Sequence, residues 1–173
     1  SAKAQTTRRA GELYLRAATL AHHPVGDVAR AIGLCERVFA QDVDADLALD
    51  AGRALDALLE AKNVHEARLP VLERLTKLES DAERRREVRG ALARLAHAQG
   101  QRQRAIATWH SRLEEDAQDR EALDGLVALH EEAGDYRALV EVLTQRVALA
   151  QGEEAAADLA RIAQIHAESL NEI

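Results

Sequence analysis

Apolar residues return every three or four positions in nine blocks along this chain, and short polar breaks separate the blocks. That spacing puts side chains on one face of an α-helix, so nine helices are predicted. The first, about 5–22, turns Leu13, Tyr14, Ala17, Ala18 and Ala21 inward and ends at His23-Pro24, because proline disfavours helical geometry in the residue before it. The second, about 26–41, shows Val28, Ala31, Ile32, Cys35, Val38 and Phe39, after which Asp42, Asp44 and Asp46 offer capping carboxylates. Leu55, Leu58 and Leu59 mark the third, and Val71, Leu72 and Leu75 the fourth, with Pro70 expected in its first turns. Ser80 or Asp81 can cap the fifth, which carries Leu92 and Leu95. Ile106 and Trp109, Leu126 and Leu129, Leu139 and Leu143, and Ile162 and Ile165 mark the last four.

The blocks pair, and the pairs repeat. Arg37-Val38, Arg74-Leu75, Arg112-Leu113 and Arg146-Val147 lie 37, 38 and 34 residues apart. Ala18, Leu55, Leu92, Leu126 and Ile162 follow at 37, 37, 34 and 36. Self-similarity at this period predicts stacked helical hairpins, none able to bury its apolar face without neighbours. The expected fold is an all-α solenoid of about four and a half helix-turn-helix repeats, without strands, forming one domain over residues 1–173. The last helix presents Leu159, Ile162 and Ile165 with no partner after it. The chain is therefore expected to be a piece of a larger protein, with apolar surface at that end and end-to-end self-association when concentrated.

The turns carry a family resemblance. Gly26-Asp27-Val28-Ala29-Arg30-Ala31, Gly100-Gln101-Arg102-Gln103-Arg104-Ala105 and Gly134-Asp135-Tyr136-Arg137-Ala138-Leu139 open second helices, and Lys62-Asn63-Val64-His65-Glu66-Ala67 is a version without the glycine. These stretches resemble the turn of the tetratricopeptide repeat (TPR), over about residues 10–170. The resemblance implies a right-handed superhelix whose first helices line a concave, peptide-binding groove. Departures are units of 36–38 residues, few aromatics in first helices, and arginines where the family usually has a small residue.

Composition agrees with a helical stack. Hydrophobic residues make up 47% and aromatics 2%, so the core is built of Ala, Leu, Val and Ile. Arg outnumbers Lys by 20 to 3, a bias of GC-rich bacterial genomes. The net charge is −7; residues 1–90 hold 15 basic and 15 acidic side chains, residues 91–173 hold 8 and 15. An acidic C-terminal half argues against nucleic acid as partner. No run approaches the roughly 18 apolar residues of a membrane span, so no membrane insertion is expected. Cys35, the sole cysteine, sits among aliphatics and reads as a buried thiol, leaving the compartment open.

No candidate catalytic chemistry stands out. There is no phosphate loop or nucleophile motif, and His97, His130 and His166 lack companions at metal-ligand spacing, so no catalytic residue, metal or cofactor is expected. The repeating arginines read as structural, their stems covering apolar surface between hairpins and their heads meeting a carboxylate or helix-end carbonyl. Function should lie on a first-helix stripe away from the packing face: Arg16; Arg53 and Glu60; Glu87, Arg94 and His97; Glu121, Asp124 and Glu131. The expected function is a non-enzymatic interaction scaffold holding a peptide or protein segment, one rich in Lys or Arg, in the groove. The alternative is a regulatory or sensor module of a larger enzyme or transcription regulator.

Overall fold

The computed structural model describes residues 2–22, 27–40 and 44–170. Helices occupy almost all of them: α1 (Ala2–His22), α2 (Val28–Ala40), α3 (Ala45–Ala61), α4 (His65–Leu78), α5 (Ala82–Ala98), α6 (Arg102–Glu115), α7 (Arg120–Ala133), α8 (Tyr136–Leu149) and α9 (Glu153–Ile165), then a π-helical turn, His166–Leu170. No strand occurs among the described residues. The break at His23-Pro24, the turn at Gly26 and the cap at Asp42 fall outside them. Backbone contacts gather the chain into two compact units, Ser1–Val88 and Arg89–Ile173.

Aspartates start five of the helices, α2, α3, α5, α7 and α8. Asp27 accepts from the Arg30 amide, Asp44 from Asp46, Asp81 from Arg84, Asp119 from Ala122 and Asp135 from Ala138, at 2.9–3.3 Å. Each satisfies an amide that the first turn leaves unpaired and sets a carboxylate against the positive helix end. The helices α3, α5 and α7 end in a shared turn. The amides of Asn63, Gly100 and Gly134 donate three residues back, and those of Val64, Gln101 and Asp135 five back, the bonds of a left-handed cap. Accordingly φ is +71° at Gly100, +65° at Gly134 and +55° at Asn63. Asn63, not Lys62, thus stands where the other hairpins have glycine, which moves the second repeat by one residue from the register expected above. Asparagine is the ordinary residue that tolerates this conformation best after glycine.

In the first unit α1 packs on α2, α2 on α3 and α3 on α4. Ala31, Cys35, Val38, Ala51, Leu55 and Leu75 are buried at its centre, with Val88 against the cluster. Leu13, expected inward, is 64% exposed. It lies five residues before buried Ala18, about 140° round the helix, while Gly11, Leu15 and Ala18 face inward instead. Pro70 sits in the second turn of α4 on its exposed side, where it gives up one amide bond to Glu66.

In the second unit α6 packs on α7, α7 on α8 and α8 on α9, around buried Trp109, Leu123, Leu126, Leu129, Leu139 and Leu143. Ile165 is only 2% exposed, because α9 lies on α8 and the π-helical turn also reaches α8. Of the three apolar residues expected open on α9, only Leu159 is prominently so, at 55%. Small residues accept large ones: a Cβ added at Gly125 in α7 would fall 2.5 Å from Trp109 Cε2 and Nε1. His130 is buried near the end of α7, with its Nδ1 3.8 Å from Asp135. Burial pushes its pKa below the ordinary 6.5, against the opposing pull of Asp135.

Two tests follow from these positions. Gly125→Ala is expected to destabilise by about 1–2 kcal/mol, overpacking outweighing the helix gain, whereas Gly33→Ala, whose Cβ meets nothing within 4 Å, gains about 0.5–1 kcal/mol. Urea midpoints of the two variants decide it. The depressed His130 pKa means the unfolded chain binds a proton that the folded chain refuses, so this contribution is full above about pH 6.5 and fades as pH falls below it. The thermal midpoint of His130→Gln should drop less between pH 7.5 and pH 5 than that of the parent.

Candidate partner-binding face

The arginines that end the second helices decide which side of each hairpin is free. Arg112 on α6 is 2% exposed. Its Nε and Nη2 donate to the two oxygens of Asp119 at 2.8 and 2.9 Å, its Nη1 reaches Glu121 at 2.8 Å, and its guanidinium lies 5.0 Å over the Trp109 ring. It also passes over Gly90 of α5, where a Cβ would meet Nη1 at 2.6 Å. One side chain therefore joins a second helix to the first helices before and after it. Arg146 on α8 repeats the device, donating to Asp124 of α7 at 2.7 Å and to both oxygens of Asp158 of α9 at 2.6 and 2.8 Å. These bonds raise its pKa further, Asp158 contributing most. Arg74 turns the other way, donating to the Phe39 carbonyl at the end of α2 with its guanidinium 4.5 Å over the Phe39 ring. Arg37 is exposed. In the second hairpin the signs are exchanged: Arg53 of α3 grips Glu79, at the end of α4, at 2.6 and 3.1 Å.

Most of the expected stripe residues are held in such pairs. Arg94 bonds Glu121, His97 bonds Glu132 at 2.8 Å, and Arg161 reaches Glu131 at 3.4 Å. Arg120 bonds Glu154, and Arg8 reaches Asp44 at 3.1 Å. These five pairs run between first helices of successive hairpins, α1 to α3, α5 to α7 and α7 to α9, so in the second unit Arg94, His97, Glu121 and Glu131 share a face. Glu60 meets Arg68 at 2.7 Å, whereas Arg16 and Glu87 are exposed. The acids Glu121, Asp124 and Glu131 share that face, and each has an arginine on it. Among the described residues no three metal-binding side chains converge. Among them no helix is long and apolar enough to cross a membrane either.

The stripe reading passed over a cleft. Between α1 and α3 lies a mainly apolar hollow of about 390 Å³, lined by Leu15, Ala18 and Thr19 of α1, by Asp50, Ala54, Ala57, Leu58 and Ala61 of α3, and floored by Cys35 of α2. Burial, with Glu36 adding to it, pushes the Cys35 thiol up to about 11, so it stays protonated at neutral pH. A second, polar cleft of about 540 Å³ is lined by Arg53 of α3, Asp81 at the cap of α5, and Glu83, Arg84, Glu87 and Val88 of α5. The sequence signal for the first cleft was the run of alanines on α3 at positions 54, 57 and 61. Glu79, Asp119 and Asp158, the buried acids that hold the arginines, carried no local signal.

No family model matches the chain, and no curated protein does. Solved structures do. Repeats from Podosopora anserina, described as nearly identical and TPR-like in a kinesin light chain, align over 98% of this chain and 90% of theirs, with a TM-score of 0.54 at 21% identity. BtubC from P. vanneervenii covers 98% of this chain and 84% of its own, at TM-score 0.51 and 13% identity. A Bacteroides ovatus protein covers 91% and 98%, at 0.50 and 15%. The fold is a TPR-like helical repeat. Its TPR-like hairpins here depart from a plain Ala and Leu stack in one respect, the charged joints that Arg112 and Arg146 make at the ends of α6 and α8.

The first of these joints is testable. Asp119 is 1% exposed and both caps α7 and binds Arg112. Asp119→Asn keeps an oxygen for the cap but leaves the buried guanidinium undercompensated, so a loss of about 3 kcal/mol is expected by urea denaturation. Adding Arg112→Met to the same chain should recover much of it, since two uncharged groups leave no buried charge.

Proposed function

We propose that this protein is a non-enzymatic scaffold that holds a segment of another protein along its first-helix face. One observation carries the reading: the cleft between α1 and α3 opens at Asp50 and Ala57, on the helix that carries the stripe residues Arg53 and Glu60, and offers apolar wall that no described residue fills. Concave, mainly apolar sites with a few polar groups at the edge are where proteins take ligands. The Bacteroides ovatus neighbour, described as a protein-binding protein, has the same fold. Arg16, Arg53, Glu60, Glu87, Arg94, His97, Glu121, Asp124 and Glu131 are then the polar margin of the face. Those already in ion pairs orient a partner through spare hydrogen-bond capacity more than through net charge, because exposed pairs contribute little each.

Site-specific photocrosslinking tests the face directly. A photoreactive residue at Ala57 or Ala128, both exposed on first helices, is expected to capture a partner protein from native extract; one at Lys77 or Gln145, exposed on second helices, is not. Adducts from the second-helix positions alone would place the binding surface on the other side.

A further inference from the structure

We infer that the segment bound by the N-terminal unit is amphipathic, with an aliphatic or aromatic anchor seated between α1 and α3 and Lys or Arg residues facing Asp50, Glu83 and Glu87. The inference rests on the first-helix face being the binding face, and it names what that face selects.

The anchor follows from what the cleft lacks. Its walls are Leu15, Ala18, Ala54, Ala57, Leu58 and Ala61, with alanines leaving the room. The Thr19 hydroxyl is already spent on the Leu15 carbonyl at 3.0 Å, and the Cys35 thiol is a buried, protonated, weak partner. A polar group pushed into this space loses its water and gains almost nothing in return, whereas an apolar side chain loses nothing.

The charge follows from which rim groups are still free. The two clefts meet on α3, where Asp50 lines the apolar one and Arg53 the polar one, 3.9 Å apart. Arg53 is committed to Glu79, whose side chain is 1% exposed, at 2.6 Å. Asp81 is committed to the amide of Arg84 at 2.9 Å. Asp50 has only the 3.9 Å approach of that same Arg53, and Glu83 and Glu87 remain exposed with Arg84 between them, so the rim beside the apolar cleft carries surplus negative charge. In the second unit, by contrast, Glu121, Asp124 and Glu131 each carry a bonded arginine. Complementary charge of this kind selects and steers a basic segment while the apolar anchor retains it.

The test is selection of a displayed random-peptide library on the whole chain. Ala57→Trp, a substitution at an exposed position that fills the cleft mouth, serves as counter-selection. The peptides recovered are expected to share a Leu, Ile or Phe anchor with Lys or Arg one or two helical turns away. They should bind the parent at least about tenfold more tightly than Ala57→Trp, and Asp50→Lys, Glu83→Lys and Glu87→Lys together should weaken them by about tenfold, less at high salt. Ala57→Leu, a smaller plug, guards against misfolding in the tryptophan variant, and both must keep the parent's helical spectrum. Equal binding to parent and plugged variants overturns the anchor. Peptides without basic residues, or unchanged binding to the triple variant, overturn the charge, even where crosslinking has already located a partner on this face. Concentration-dependent dimerisation that the plug abolishes overturns the inference in favour of a second copy of the chain.

Discussion

Arg112 brings three helices to one point, and the second unit is organised around that point. A stack made of Ala and Leu has little to fix the rotation of one hairpin on the next, because small aliphatic side chains pack adequately at several angles. A planar guanidinium held by both oxygens of a buried carboxylate allows one arrangement. Desolvating such a pair is costly, so its value lies in specifying geometry more than in adding stability. Asp119 serves the same end twice, since the carboxylate that positions Arg112 also starts α7.

The periodicity of apolar residues was enough to read nine helices, their pairing and the repeat, because burial of one face imposes the 3.6-residue period directly on the sequence. Trp109 in the core and the structural use of Arg74, Arg112 and Arg146 were legible from their repeating positions, and the buried Cys35 from the aliphatic residues around it. What escaped depended on a rotation or a distant partner. Leu13 has the right spacing from Ala17 but the wrong angle from Ala18. Ile165 is covered by a turn that has no apolar period of its own. The Asn63 turn was assigned to Lys62 because the alanine after it, not the bond pattern of the cap, was used for alignment.

Which residues the candidate face carries was legible; how they pair was not. Residues at helical spacing do line one side of successive first helices. The formal charge of a half-chain says nothing, however, about which carboxylates are already neutralised, and that is set by arginines 7 to 34 residues away in sequence, such as Arg112 beside Asp119 and Arg120 beside Glu154. Net charge belongs to the segment, whereas the field that a partner meets belongs to the groups left over after folding. In the N-terminal unit the remaining acids lie beside an apolar hollow, a pairing that no composition count can show.

The joints also make the hairpins non-interchangeable. Counting along the repeat, Arg53, Gly90 and Asp124 occupy one position, and each suits only its own neighbour: a cation for Glu79, an empty space for Arg112, an anion for Arg146. A consensus built by averaging the repeats would put one residue at all three sites and would be wrong in at least two of them. Exchanging single first helices between hairpins would likewise set arginine against arginine, or a side chain where the guanidinium must pass. Although the hairpins look alike, each of these three first helices is keyed to its own second helix.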